Sequence, residues 1–168
     1  MKNSTWVKIK SYSSQKGIGL IEILIVTAII GLSLASLAGL GNFALKIQHR
    51  TKQNTIASFL ASEAIEATRA IKDGEWSDLT AFAPDTPLHP IKTPSFYLWT
   101  LSSGPETING FTRQVVVSPV YRDGAFNITS SNGTLDDNTK KITATVSWSD
   151  NGQNQQITLV DYLMNWKP

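Results

Sequence analysis

One carboxylate stands where carboxylates are rarely tolerated. Glu22 is the sole charged side chain in an apolar stretch from Ile18 to about Leu45, directly behind a leader that contains Lys2, Lys8, Lys10 and Lys16 but no acid. A charge within a membrane-spanning helix costs about 2.5–3.5 kcal/mol even on lenient insertion scales, so such a group calls for a partner. The chemistry open to it is ion pairing. An opposite charge about 4 Å away contributes about 4 kcal/mol at an effective dielectric near 20, comparable with the burial cost. The natural partner is an amine.

The surroundings of Glu22 form a targeting signal of unusual order. A secretory signal has a basic region, an apolar region of about 7–15 residues and then a small-residue cleavage site on the far side. Here the apolar run is long enough to span a bilayer, for which about 20 residues suffice. The small residue, Gly17, precedes it. Cleavage at Gly17–Ile18 would leave the helix attached to the mature chain and expose a new amine at Ile18. The leader lysines favour a cytoplasmic N-terminus, although Lys46, Arg50 and Lys52 beyond the run weaken the asymmetry. Gly31, Ser33, Ala35, Ser36, Ala38, Gly39 and Gly41 make part of the run fine-grained. Small residues of this kind permit close helix–helix approach, with Gly31, Gly39 and Gly41 as the candidate packing positions.

The stretch from Lys16 to Gly31, KGIGLIEILIVTAIIG, resembles the class III signal of type IV prepilins and type II secretion pseudopilins. The resemblance implies that a prepilin peptidase cuts after Gly17 and N-methylates Ile18. Glu22 becomes the fifth residue of the mature chain, facing the terminal amine of a neighbouring subunit. Ile18 and Gly19 stand where the family usually has Phe and often Thr. Further partners implied by the resemblance are other pilin or pseudopilin subunits, an inner-membrane platform protein and an assembly ATPase. The implied location is the cytoplasmic membrane, crossed once with the N-terminus inside, followed by an extracytoplasmic or cell-surface filament. Neither an enzymatic activity nor a cofactor is expected. Whether the filament is a pilus or a secretion pseudopilus stays open.

The elements that must carry this site follow from periodicity. Ile56, Leu60, Ala64, Ala67 and Ile71 recur at helical spacing, with Ala57, Ala61 and Ile65 widening the stripe. Glu66 and Arg69 can pair one turn apart, and Gly74 is a C-terminal stop. The spacing therefore predicts one helix from Ile18 to Asp73. Pro84, Pro87, Pro90 and Pro94 predict an irregular connector after it. Strands are expected over Phe96–Leu101 and Phe111–Val117, the second ended by Pro119. Asn151-Gly152 predicts a two-residue hairpin turn that sets Val146 opposite Ile157, Thr145 opposite Thr158 and Ala144 opposite Leu159.

The expected architecture is α+β, a long N-terminal helix followed by a C-terminal antiparallel sheet, in the manner of pilins. Its segments are a removed leader over 1–17, a membrane and polymerisation helix over 18–45 and an amphipathic continuation over 46–73. A connector over 74–94 and a β domain over 95–168 complete it. The competing class is a single-pass, membrane-anchored extracytoplasmic binding or sensor module that does not polymerise. It explains the anchor and the sheet but gives no reason for Glu22 or Gly17.

Composition narrows the remaining classes. Cysteine is absent, so there is no disulfide framework, thiolate nucleophile or cysteine metal site. His49 and His89 lie 40 residues apart without carboxylates at ligand spacing, so no metal site is expected. The formal charge of +2 is a property of the leader. Without its four lysines the balance is 11 basic against 13 acidic, or −2, with no phosphate-binding footprint for nucleic acid. Asp136-Asp137-Asn138 reads as a solvated turn, and Asn127-Ile128-Thr129 and Asn132-Gly133-Thr134 as surface loops that fit the N-glycosylation pattern.

Overall fold

A computed structural model describes residues 19–94, 98–130 and 133–166. The chain is α+β, and it divides into a unit ending at Lys46 and another beginning at Ile47. Helix α1 runs from Leu20 to Gly74, 55 residues, close to the expected bounds. Within the first unit every described residue is exposed, including Leu20, Leu32, Leu37 and Leu40. The stretch is long and apolar enough to cross a membrane, with a mean hydropathy of 2.4 over its most apolar window and none of that window buried.

The hydroxyls in this apolar stretch are satisfied locally. Thr27 donates to the Ile23 carbonyl at 2.9 Å, Ser33 to Ile29 at 2.8 Å and Ser36 to Leu32 at 2.8 Å. Such bonds to the preceding turn remove the need for water, as a lipid environment demands.

In the second unit α1 lays its alanine stripe on a sheet. Ala57, Ala61 and Ala64 are fully buried, followed by Ile65, Thr68 and Ile71. The strands are β1 (Pro87–Lys92), β2 (Trp99–Ser103), β3 (Glu106–Ile108), β4 (Phe111–Arg122), β5 (Ile128–Thr129), β6 (Thr134–Asp150) and β7 (Gln153–Met164). They form one sheet of seven antiparallel strands in the order β2-β1-β4-β6-β7, with β3 and β5 also pairing β4. Strict alternation on β4 and β6 sends Phe111, Val115, Val117, Ile142, Ala144 and Val146 toward the helix. A single inward-facing layer therefore holds both core clusters.

The hairpin has the register that Asn-Gly dictates. Val146 pairs Ile157, Thr145 pairs Thr158 and Ala144 pairs Leu159. Asn151 and Gly152 have φ of 52° and 77°, the two positive values a type I′ turn requires. The threonine pair meets hydroxyl to hydroxyl at 3.3 Å.

Three expectations are corrected. The proline-bearing connector is not irregular: it contains a short helix α2 (Trp76–Thr80) and β1, so the sheet begins at Pro87 instead of 95. β1 has β4 beside it only at Pro87 and Leu88, and a strand so lightly paired on one side accommodates prolines. Pro119 does not end β4, which continues to Arg122 across a register shift between Pro119 and Val120. A bulge absorbs the missing N–H. The strand expected over Phe96–Leu101 is found at Trp99–Ser103: Leu98 precedes it, and Phe96 and Tyr97 lie outside the described residues.

The third correction concerns Asp136, which sits in β6 instead of a solvated turn. Arg122 Nε donates to its carboxylate at 2.6 Å and Thr139 Oγ1 at 2.7 Å. These two bonds, the arginine's first, hold the Asp136 carboxyl below its ordinary value. A depressed folded value gives stability that is present above the unfolded value, about 3.9, and lost as pH falls through the folded one. Acid unfolding of Arg122→Gln should therefore lack this part of the pH dependence below about pH 4. Superimposable acid titrations of the two proteins would contradict the assignment.

Candidate functional site

Glu22 lies in the first turn of α1, where a carboxylate suits the positive end of the helix dipole. Its backbone N–H donates to the Gly19 carbonyl at 2.8 Å, so the helical path already holds this residue. The side chain is exposed and makes no hydrogen bond or ion pair with any described residue. The internal bonding that serves Thr27, Ser33 and Ser36 thus does not extend to the one charged group nearby. Gly17 and Ile18, the expected cleavage and methylation positions, lie outside the described residues.

Gly31, Gly39 and Gly41 share one property. A β-carbon added at any of them meets nothing within 4 Å. Nothing within the described chain requires these positions to be glycine, and none has a positive φ. They leave shallow places on an exposed apolar surface, which is what close helix–helix approach uses.

Charged groups of the second unit fasten helix to sheet. Arg113 is 3% exposed, on the helix-facing side of β4. It reaches Glu106 on β3 at 2.6 Å and Glu63 on α1 at 2.9 Å, and donates to the Leu60 carbonyl at 3.3 Å. Arg69 joins Glu66, as its spacing predicts, and also Asp161 on β7 at 2.8 Å. The Asp161 hydrogen bond chiefly raises the already high Arg69 value. Buried Asp150, at the end of β6, lies 3.5 Å from Arg50 and 3.8 Å from His49.

Arg113 was legible in principle, because the alternation Phe111, Val115, Val117 sends position 113 inward. Asp150 and Asp161 carried no comparable signal, since their partners come from distant segments. His89 Nδ1 lies 2.7 Å from the Gly104 carbonyl, and His49 Nε2 has Asp150 at 3.8 Å. Among the described residues no group of three or more His, Cys, Asp or Glu side chains is placed to hold a metal ion. Compared with protein-family models, with curated proteins and with solved structures, the chain matches none of them.

Proposed function

We propose that the chain is a structural subunit of a type IV pilus-like or type II secretion pseudopilus filament. A prepilin peptidase cuts it at Gly17–Ile18 and methylates Ile18, and the subunit assembles through its N-terminal helix. Before assembly it crosses the cytoplasmic membrane once, with the N-terminus inside. A platform protein and an ATPase then drive its extraction into an extracytoplasmic or cell-surface fibre. The subunit itself performs no catalysis.

The observation that carries this reading is the conjunction of an exposed apolar helix with a carboxylate that has no partner among the described residues and stands five positions after a glycine. Moving such a helix from lipid into a bundle of like helices keeps its apolar surface out of water. Glu22 then gains the amine of a neighbouring Ile18. The glycines at 31, 39 and 41, free of intrachain neighbours, support close packing in the same bundle.

Glu22→Ala should leave membrane insertion intact, since it removes an unfavourable charge from the span. Incorporation into filaments should fall at least about tenfold, because the pair contributes more than the 1.4 kcal/mol that tenfold represents. Membrane fractionation and sheared-filament yield measure the two effects. Normal incorporation would remove the amine-pairing mechanism, and failure to detect any polymer of the unmutated chain would favour a tethered module.

A further inference from the structure

A cleft of about 420 Å³ lies on the sheet face turned away from α1, lined by Tyr121, Tyr162, Lys141, Ser118, Thr129 and Ser130 among others. Its placement follows from register. Ser118, Lys141 and Tyr162 stand side by side across β4, β6 and β7, and they alternate with Val117, Ile142 and Leu163, which face the helix. Tyr121 follows inward-facing Val120 past the bulge and so projects from the same outer face. Two aromatic rings thereby flank a lysine on the strand between them.

The lining has a definite chemistry. Tyr121 and Tyr162 are 41% and 43% exposed, and neither hydroxyl has a hydrogen-bond partner among the described residues. Lys141 makes no ion pair among the described residues, and no acid lines the cleft. Asp161, beside Tyr162 in sequence, points to the other face and is held by Arg69. The Ser118 hydroxyl donates to Asp85 at 2.6 Å and can still accept. β6 lies between β4 and β7, so its backbone beside Lys141 is flanked by a strand on each side and Lys141 meets a ligand through its side chain.

We propose that this cleft binds a carboxylate-bearing saccharide. The flat rings suit the C–H faces of a sugar, the Tyr121 and Tyr162 hydroxyls suit its polar edge, and Lys141, without an ion pair among the described residues, suits its acid group. Beyond the cleft the same face continues without charge through Thr143, Thr145 and Thr158, which a longer glycan can follow. The inference uses only the sheet, so it stands or falls separately from the filament reading.

The test uses the full chain in detergent micelles, titrated calorimetrically with oligogalacturonate, with sialyllactose and with a neutral galactose oligomer. The two acidic probes distinguish uronic from sialic acid as the source of the carboxylate, and binding of either one in preference to the neutral oligomer is the expected result. Tyr162→Ala should weaken that binding about tenfold. Lys141→Gln should weaken it up to about fivefold while leaving the neutral oligomer unchanged. Both side chains are on the surface, so circular dichroism should show an unaltered fold. Absence of binding by either acidic probe, equal affinity for the neutral one, or unchanged affinity in Tyr162→Ala overturns the proposal. So does burial of Tyr162 against a second copy, read as protection from iodination.

Discussion

Arg113→Ala should destabilise the second unit by about 3 kcal/mol, the scale expected when one partner of a buried ion pair is removed. The Arg113 side chain is 4% exposed, with Glu106 at 22% and Glu63 at 49%. The substitution leaves Glu106 largely desolvated without a counter-charge and strands the Leu60 carbonyl contact. It also opens space where the guanidinium stem packs. Glu63 is the minor loser, because water reaches half of it. Denaturant unfolding of the full chain in mild detergent, followed by tryptophan fluorescence, reads the change. The triple variant Arg113→Met, Glu63→Gln, Glu106→Gln should recover much of the loss, since it removes the charges together. A cost below about 1 kcal/mol for Arg113→Ala would place this network among ordinary surface pairs.

Ala61→Leu is expected to cost about 2–3 kcal/mol by overpacking. Ala61 is fully buried, with Ala57 from the same helix, in a cluster completed by Phe111, Val146 and Trp148. The Phe111 and Trp148 rings lie 5.6 Å apart at 46°, so the receiving surface is already filled. Retreat of the helix would stretch the Arg113–Glu63 pair, which anchors α1 two residues further on. The same unfolding measurement applies. Phe59→Ala is the control: this residue is larger but 71% exposed, and its loss should change stability by no more than about 0.5 kcal/mol. Equal effects at positions 59 and 61 would contradict the packing described.

Local chemistry made part of this architecture legible in the sequence. Asn151-Gly152 fixes both turn and register, and the alanine-rich stripe from Ala57 to Ile71 marks the face that meets the sheet. Gly74 marks where α1 ends. What stayed hidden depends on partners distant in sequence. Pro87 and Pro90 suggest a loop until β1 is seen with β2 along its length and β4 at only two residues. Asp136 looks solvated until Arg122 is folded against it. The same holds for the cleft, because Tyr121 and Tyr162 meet only through strands that lie 41 positions apart in the chain. At the apolar helix the relation is reversed: Gly17 and Glu22 are conspicuous in sequence, while no partner of Glu22 lies among the described residues.

Under the proposed function, cleavage of the Gly17–Ile18 bond creates a partner for Glu22. Intact-mass and N-terminal analysis of the chain, expressed with and without a prepilin peptidase, tests it most directly. With the peptidase the product should lack residues 1–17 and begin at an Ile18 carrying one added methyl group. Without it the product should retain the leader. A chain that keeps residues 1–17 under both conditions, or is cut beyond the apolar run, would contradict the account.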